Sequence, residues 1–188
     1  MIKFEIPKEK IETISEQYTN ACNRPTDINL HLPTLYNLAS QCKTVTEFGV
    51  RTGESTLAFL HAAIEHSVGV SSYDIEFNWV AANKFQQAKK EGAITEYIIG
   101  STLNIEIAPT DLLFIDTHHT YEQLTCELDR HSHKVVKYIA IHDTTSYVRL
   151  SDAVIDFMIR ENKYVNRWAF HSHYTNNNGL TVLERRNV

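Results

Sequence analysis

Residues 45–56, Val-Thr-Glu-Phe-Gly-Val-Arg-Thr-Gly-Glu-Ser-Thr, constrain the fold more than any other stretch of the chain. A short β-branched run ends in an acid, turns on two glycines and opens a helix. Open α/β sheets use this strand–turn–helix form to hold nucleotide-like ligands at the carboxyl ends of their strands. The spacing also bears on the ligand. A dinucleotide fingerprint, G-x-G-x-x-G, needs its second glycine so that backbone can approach a pyrophosphate. Arg51 stands at that position here. The pattern E-x-G-x-x-x-G suits an adenosine-bearing ligand without a pyrophosphate.

The rest of the chain agrees with such a sheet. Strands are expected at Thr44–Phe48, Val68–Tyr73, Glu96–Ile99, Asp111–Ile115 and Lys137–Ile141. Helices are expected over Ser55–His66, Trp79–Glu91, Tyr121–His133 and Ser151–Glu161. Asp-Leu-Leu-Phe-Ile at 111–115 is the apolar run of a strand buried on both faces. In the last helix, Val154, Ile155, Met158 and Ile159 are read as one face behind a cap at Ser151 or Asp152. Further upstream, residues 8–20 read as a polar amphipathic helix, broken by Asn23-Arg24-Pro25-Thr26-Asp27 because proline and its predecessor resist helix. A short helix follows from about Pro33 to Ser40. This βα alternation predicts a doubly wound, mostly parallel sheet. Near the end, Arg167–Phe170 and Leu180–Leu183 flank Asn176-Asn177-Asn178-Gly179, and Asn-Gly is a strong turn signal. The last two strands are therefore antiparallel. A Rossmann-like sheet of seven strands with its last strand reversed is the expected fold. Residues 1–40 form an N-terminal helical segment or lid, and residues 41–188 a single ligand-binding domain.

Bulk properties remove several classes. The chain of 188 residues, 43% hydrophobic and 22% charged, has the composition of one globular domain. A net charge of −5 disfavours broad contact with nucleic-acid phosphates. No stretch approaches the roughly 18 apolar residues of a membrane span. The start, Met1 to Lys10, is too charged for a signal peptide. Cys22, Cys42 and Cys126 are odd in number and far apart, which fits reduced thiols in a cytoplasmic protein better than disulfides or a cysteine zinc site. His131, His133, His171 and His173 lack zinc-site spacing. A homodimer is compatible with the sequence, although no motif signals one.

Four motifs in order now carry a resemblance: Glu47-Phe48-Gly49-Val50-Arg51-Thr52-Gly53, Tyr73-Asp74-Ile75-Glu76, Asp111 through Tyr121 (DLLFIDTHHTY), and Ile141-His142-Asp143-Thr144. The chain resembles the class I S-adenosylmethionine (SAM)-dependent methyltransferases from about residue 27 onward. It is most similar to the cephalosporin-hydroxylase-like and macrolide-sugar O-methyltransferase branch. The resemblance implies that Glu47, Gly49, Arg51 and Gly53 form the turn around the methionine part of SAM. Ser55 and Thr56 start the helix where a carboxylate can meet free N–H groups. Asp74, with Ile75 beside it and Glu76 as competitor, takes the ribose hydroxyls. Ser101 and Thr102 cover adenine, and Asp27-Ile28-Asn29 belong to a lid.

The same resemblance implies the reaction centre. Asp-x-x-His at the end of the fourth strand maps onto Asp116 and His119, with His119 as general base and Asp116 orienting SAM, substrate or metal. Imidazole suits proton transfer near neutrality. His118 is the alternative inward ring. Metal-binding relatives carry Glu-Asp where this chain has His142-Asp143, so a divalent site would comprise Asp116, His142 and Asp143. Plainer readings stand beside these. Asp74 could be a cap, His119 a solvated ring, His142–Asp143 a structural pair, and Arg51 a surface ion pair or a substrate contact. Tyr121 and Tyr147 either pack or line a pocket. The expected activity is methyl transfer from SAM to a small-molecule acceptor, most simply at oxygen. The alternatives are SAM binding without transfer, an NAD-dependent oxidoreductase, or a metal-dependent hydrolase.

Overall fold

A computed structural model describes residues 11–186. Met1 to Lys10, on which the signal-peptide argument and the first residues of the expected N-terminal helix fall, lie outside the described residues. The helices are α1 (Ile14–Asn23), α2 (Leu32–Ala39), α3 (Glu54–His66), α4 (Trp79–Lys90), α5 (Tyr121–His131) and α6 (Val148–Asn162). The strands are β1 (Thr44–Phe48), β2 (Gly69–Asp74), β3 (Thr95–Ile99), β4 (Thr110–Ile115), β5 (Val135–His142), β6 (Trp168–Tyr174) and β7 (Leu180–Arg185).

The seven strands form one sheet in the order β3-β2-β1-β4-β5-β7-β6. Every pairing is parallel except those of β7, which runs antiparallel to both β5 and β6. The reversed strand is thus last in sequence but not at the edge in space. Strand order turns back between β1 and β4, which opens a crevice at their carboxyl ends.

Alternation in β4 explains the two-sided core. Leu112 and Phe114 join one apolar cluster, with Val45, Val70, Phe59 and Leu35. Leu113 and Ile115 point the other way, to Phe48, Ile139, Leu128 and Phe157. Helices α1 to α4 contribute to the first layer, and α5 and α6 to the second.

Helix α6 departs from its sequence reading. It begins at Val148, and Ser151 donates to the Thr144 carbonyl instead of capping a helix. Its buried stripe is Leu150, Ala153, Val154 and Phe157. Ile155 and Ile159 are exposed, because starting the helix a turn earlier brings Leu150 and Phe157 onto the inward i, i+3, i+4, i+7 face. The N-terminal helix also differs. Thr13 caps it in a reciprocal box with Glu16, and it runs to Asn23 before Pro25 ends it. The expected hairpin signal corresponds to a loop in which Asn177, Asn178 and Gly179 all have positive φ.

Candidate functional site

The β1 turn is shaped by contact with β4. Gly49 sits at φ 86 and its N–H donates to the Tyr73 carbonyl. A Cβ there would overlap the Asp116 carbonyl oxygen, so only glycine lets the turn lie against the end of β4. The chain then passes through Arg51, left-handed at φ 51, and Gly53 at φ 81 before α3 begins. Lys84 of α4 fixes this turn from below. Its buried Nζ donates to the carbonyls of Thr52 (2.9 Å) and Gly53 (3.1 Å) and pairs with Glu54.

Around the switch point lies a cavity of about 400 Å³. Gly49, Arg51, Ser55, Asp74, Ile75, Ser101, Thr102, Asp116, His119 and Asp143 of the sequence-predicted set line it, together with His118 and with Asp27 and Ile28 of the N-terminal segment. Glu47, Gly53 and Thr56 do not. Glu47 is fully buried and accepts hydrogen bonds from Ser55 Oγ (2.6 Å), Thr56 Oγ1 (2.9 Å) and Ser72 Oγ (2.6 Å). Its carboxylate braces β1, β2 and α3 from inside. Burial pushes its pKa up to about 7 despite those hydroxyl donors. His142 also lies behind the lining, where it is almost wholly buried.

Asp74 serves the fold as well as the cavity. Oδ2 accepts from the N–H groups of Val50 and Arg51, both at 2.8 Å, and Oδ1 from Glu76 N–H at 3.0 Å. Three donors leave about one of four acceptor directions free for a ligand. The Arg51 guanidinium, largely exposed, reaches Asp27 at 3.3 Å across the cavity mouth. Arg24 and Glu54 pair at 2.6 Å nearby.

At the opposite wall, two imidazoles and two carboxylates converge. His119 Nε2 lies 2.8 Å from Asp143 Oδ2 and 3.3 Å from Asp116 Oδ1. His142 Nδ1 lies 3.5 Å from Asp116 Oδ2 and 3.6 Å from Asp143 Oδ2, too far for hydrogen bonds of ordinary strength. His142 Nε2 is 3.0 Å from the Asn177 carbonyl. A carbonyl only accepts, so Nε2 carries a proton, and Nδ1 is the nitrogen that faces the carboxylates. Asp143 occupies left-handed backbone at φ 62, unusual for a residue other than glycine. Hydrogen bonds donated to Asp116 and Asp143 hold His119 protonated up to about 9. Burial opposes a charge on His142, but the same two carboxylates outweigh it and raise the ring to about 10. For Asp116 and Asp143, burial works upward and is outweighed by the two rings, so both acids are held below the usual carboxylate range.

This donor set fits a divalent cation. One ligand atom each from Asp116, His142 and Asp143 lie within 4.8 Å of one another. Among the described residues, His142 Nδ1 and Asp143 Oδ1 are buried without a hydrogen-bond partner. His118 is exposed on the rim, and the Tyr147 ring lies 4.4 Å from the His119 ring.

One network escaped the sequence reading. Glu127 of α5, fully buried, accepts from Thr102 Oγ1 (2.6 Å), Thr117 Oγ1 (2.9 Å) and Gln123 Nε2 (2.8 Å). His131 Nε2 donates to the Thr102 carbonyl at 2.8 Å. Together they fix the loops after β3 and β4, which both line the cavity. The available signal was the helix stripe Leu124, Glu127, Leu128, His131, in which polar groups occupy core positions. Lys84 gives the same signal between Ala81, Phe85 and Ala88.

No family model matches the chain, and no curated protein matches it in sequence. Solved structures do match in fold. An O-methyltransferase from Bacillus cereus in complex with SAH superposes with a TM-score of 0.65 at 15% identity, over 96% of this chain and 94% of that one. TomG, an O-methyltransferase of tomaymycin synthesis from Streptomyces achromogenes solved with SAM, gives 0.64 at 15% identity, over 95% and 92%. An SAH-bound methyltransferase from Podospora anserina gives 0.61 at 16% identity, over 93% and 88%. The fold is the Rossmann-like fold of these methyltransferases. Among the described residues, no helix is long and apolar enough to cross a membrane.

Proposed function

We propose that this protein is a SAM-dependent methyltransferase acting on a small-molecule hydroxyl. The carrying observation is convergence on one cavity of the Gly49 turn, the Asp74 carboxylate and the Asp116–His119–Asp143 group. Likeness in fold over 93–96% of this chain to proteins solved with SAM or SAH supports the reading.

The roles follow from the atoms. Gly49 and Arg51 shape the wall for the amino-acid end of SAM, and the first N–H groups of α3, beside Ser55, face its carboxylate. Asp74 receives a ribose hydroxyl on its free acceptor direction. Ser101 and Thr102 flank the adenine, with Glu127 holding Thr102 in place. Ile28 and Asp27 close the cavity from the N-terminal side.

Methyl transfer is an in-line displacement, so positioning of the acceptor oxygen and loss of its proton are the protein's tasks. Asp143 Oδ2 and Asp116 Oδ1 hold the Nε2–H of His119. That leaves Nδ1 of the ring to take the acceptor's proton, the orienting logic of a carboxylate–imidazole pair. With both carboxylates free, however, the ring keeps a second proton up to about pH 9 and acts as a donor at neutrality. Asp116, His142 and Asp143 would hold a divalent cation, which would supply Lewis acidity at the acceptor oxygen and relieve that hold on His119.

The test is calorimetric titration of the purified chain with SAH and with NAD, followed by transfer of labelled methyl from SAM to a panel of hydroxylated small molecules. SAH binding and label transfer that is lost in His119→Ala are expected. Binding of NAD without SAH would overturn the proposal. SAH binding with no transfer to any acceptor would favour a SAM-binding protein without transferase activity.

A further inference from the structure

We propose that the Asp116–His142–Asp143 centre selects a late first-row divalent cation of the zinc type over magnesium. The inference rests on the reading that these three residues hold a cation, and adds which chemical class they take.

Three observations carry it. First, one of the three ligand atoms is nitrogen. Magnesium demands hard oxygen ligands in near-ideal octahedral array, whereas imidazole mixed with carboxylate suits zinc and its neighbours. Second, the nitrogen is preset. The side chain of His142 is 1% exposed, and its Nε2–H is committed to the Asn177 carbonyl at 3.0 Å. Nδ1, buried and without a hydrogen-bond partner among the described residues, therefore aims between Asp116 Oδ2 and Asp143 Oδ2. A backbone carbonyl fixing the far nitrogen is how metal-binding histidines are oriented. Third, the spacing has room for an ion: the separations from His142 Nδ1 are 3.5 and 3.6 Å, and the three ligand atoms all lie within 4.8 Å of one another.

The arrangement also leaves an open face. Asp116 and Asp143 line the cavity while His142 stands behind them, so three protein ligands sit on one side and the ligand cavity on the other. Zinc sites that act on substrates keep such a position free. The Asn176-Asn177-Asn178-Gly179 loop is then part of the centre. Asn177 Nδ2 donates to Thr26 O (2.6 Å) and Asn29 Oδ1 (2.9 Å), which ties the orienting carbonyl to the N-terminal segment.

The experiment uses the full chain stripped with a chelator and titrated with Co²⁺, whose visible absorption reports nitrogen–oxygen coordination. We expect one equivalent to bind, to be displaced by comparable Zn²⁺, and to resist about a hundredfold excess of Mg²⁺. His142→Asp should weaken Co²⁺ and Zn²⁺ binding by at least about tenfold and narrow the gap to Mg²⁺. A second measurement needs no variant: in ¹⁵N-histidine-labelled protein, Zn²⁺ should move the His142 Nδ1 resonance while Nε2 keeps its proton. Displacement by Mg²⁺ as readily as by Zn²⁺, unchanged Co²⁺ binding in a folded His142→Asp, or an unmoved Nδ1 resonance would each overturn the inference; such a ring would be a plain ionic partner of the two acids. Calorimetry with SAH on the same protein separates the two readings. Failure to bind SAH strikes the transferase proposal and leaves the metal preference standing.

Discussion

Glu47 offers the sharpest physical test, because its carboxylate is buried at the root of the ligand turn with three hydroxyls and, among the described residues, no cation within salt-bridge distance. Burial raises it from 4.5 to about 7, which corresponds to roughly 3 kcal/mol in favour of the protonated acid in the folded state. The sign follows from linkage. A carboxyl whose folded pKa is raised contributes stability that is complete below about pH 4.5 and disappears as pH climbs through about 7. Glu47→Gln keeps the shape and removes the titration, and Ser55, Thr56 and Ser72 can turn their hydroxyls to serve an amide. Urea unfolding followed by far-ultraviolet circular dichroism at pH 5, 6, 7 and 8 would give both stabilities. The variant should gain on the wild type by about 2–3 kcal/mol from pH 5 to pH 8. Groups that titrate alike in both proteins cancel in the difference. A difference that stays level across that range would refute the argument, because an ionised Glu47 would then be no more costly in the fold than in the unfolded chain.

Other expectations concern the cavity walls. Gly49→Ala forces a Cβ onto the Asp116 carbonyl at positive φ and should cost roughly 3 kcal/mol or more, visible as a large fall in melting temperature. Asp74→Ala deprives the Val50 and Arg51 N–H groups of their acceptor and should weaken SAH binding about tenfold or more by calorimetry; unchanged affinity would remove Asp74 from the binding set. In chelator-treated protein, Asp143→Asn should lower the His119 pKa from about 9, read by NMR titration, while the left-handed backbone at 143 accepts asparagine readily. A ring that still titrates near 9 would mean that Asp143 is not what holds its proton.

The sheet was legible because its signals are local. Apolar runs, glycine positions and the Asn-Gly turn each act within a few residues, and β1, β4 and β5 arise from them directly. The binding face was legible for a related reason, since strand ends in an open α/β sheet deliver their next residues to one edge. What stayed hidden depended on the third dimension. Glu47 reads as a ligand contact in sequence, but three hydroxyls from α3 and β2 enclose it. Asp74 reads as a ribose-binding acid or a cap, and in the fold loop N–H groups use most of its acceptor directions. Asn177 reads as a turn residue, and nothing in its neighbours announces that its carbonyl orients His142 across 35 residues. His119 reads as a base from its position, but its proton affinity is set by Asp116 together with Asp143, which arrives at the end of another strand.

The placement of β7 between β5 and β6 bears on how the chain acquires its site during synthesis. β6 is made first and finds its neighbour only when β7 follows, since its partner in the sheet is β7 and not β5. Until then the edge of β5 stays open to pairing with other chains, a hazard for a nascent protein. The same insertion carries the Asn177 carbonyl to His142. A ribosome-bound chain stopped before β7 could already shape the Gly49 turn while its histidine centre remained unset. In order of synthesis, the Gly49 turn thereby precedes the segment that orients His142.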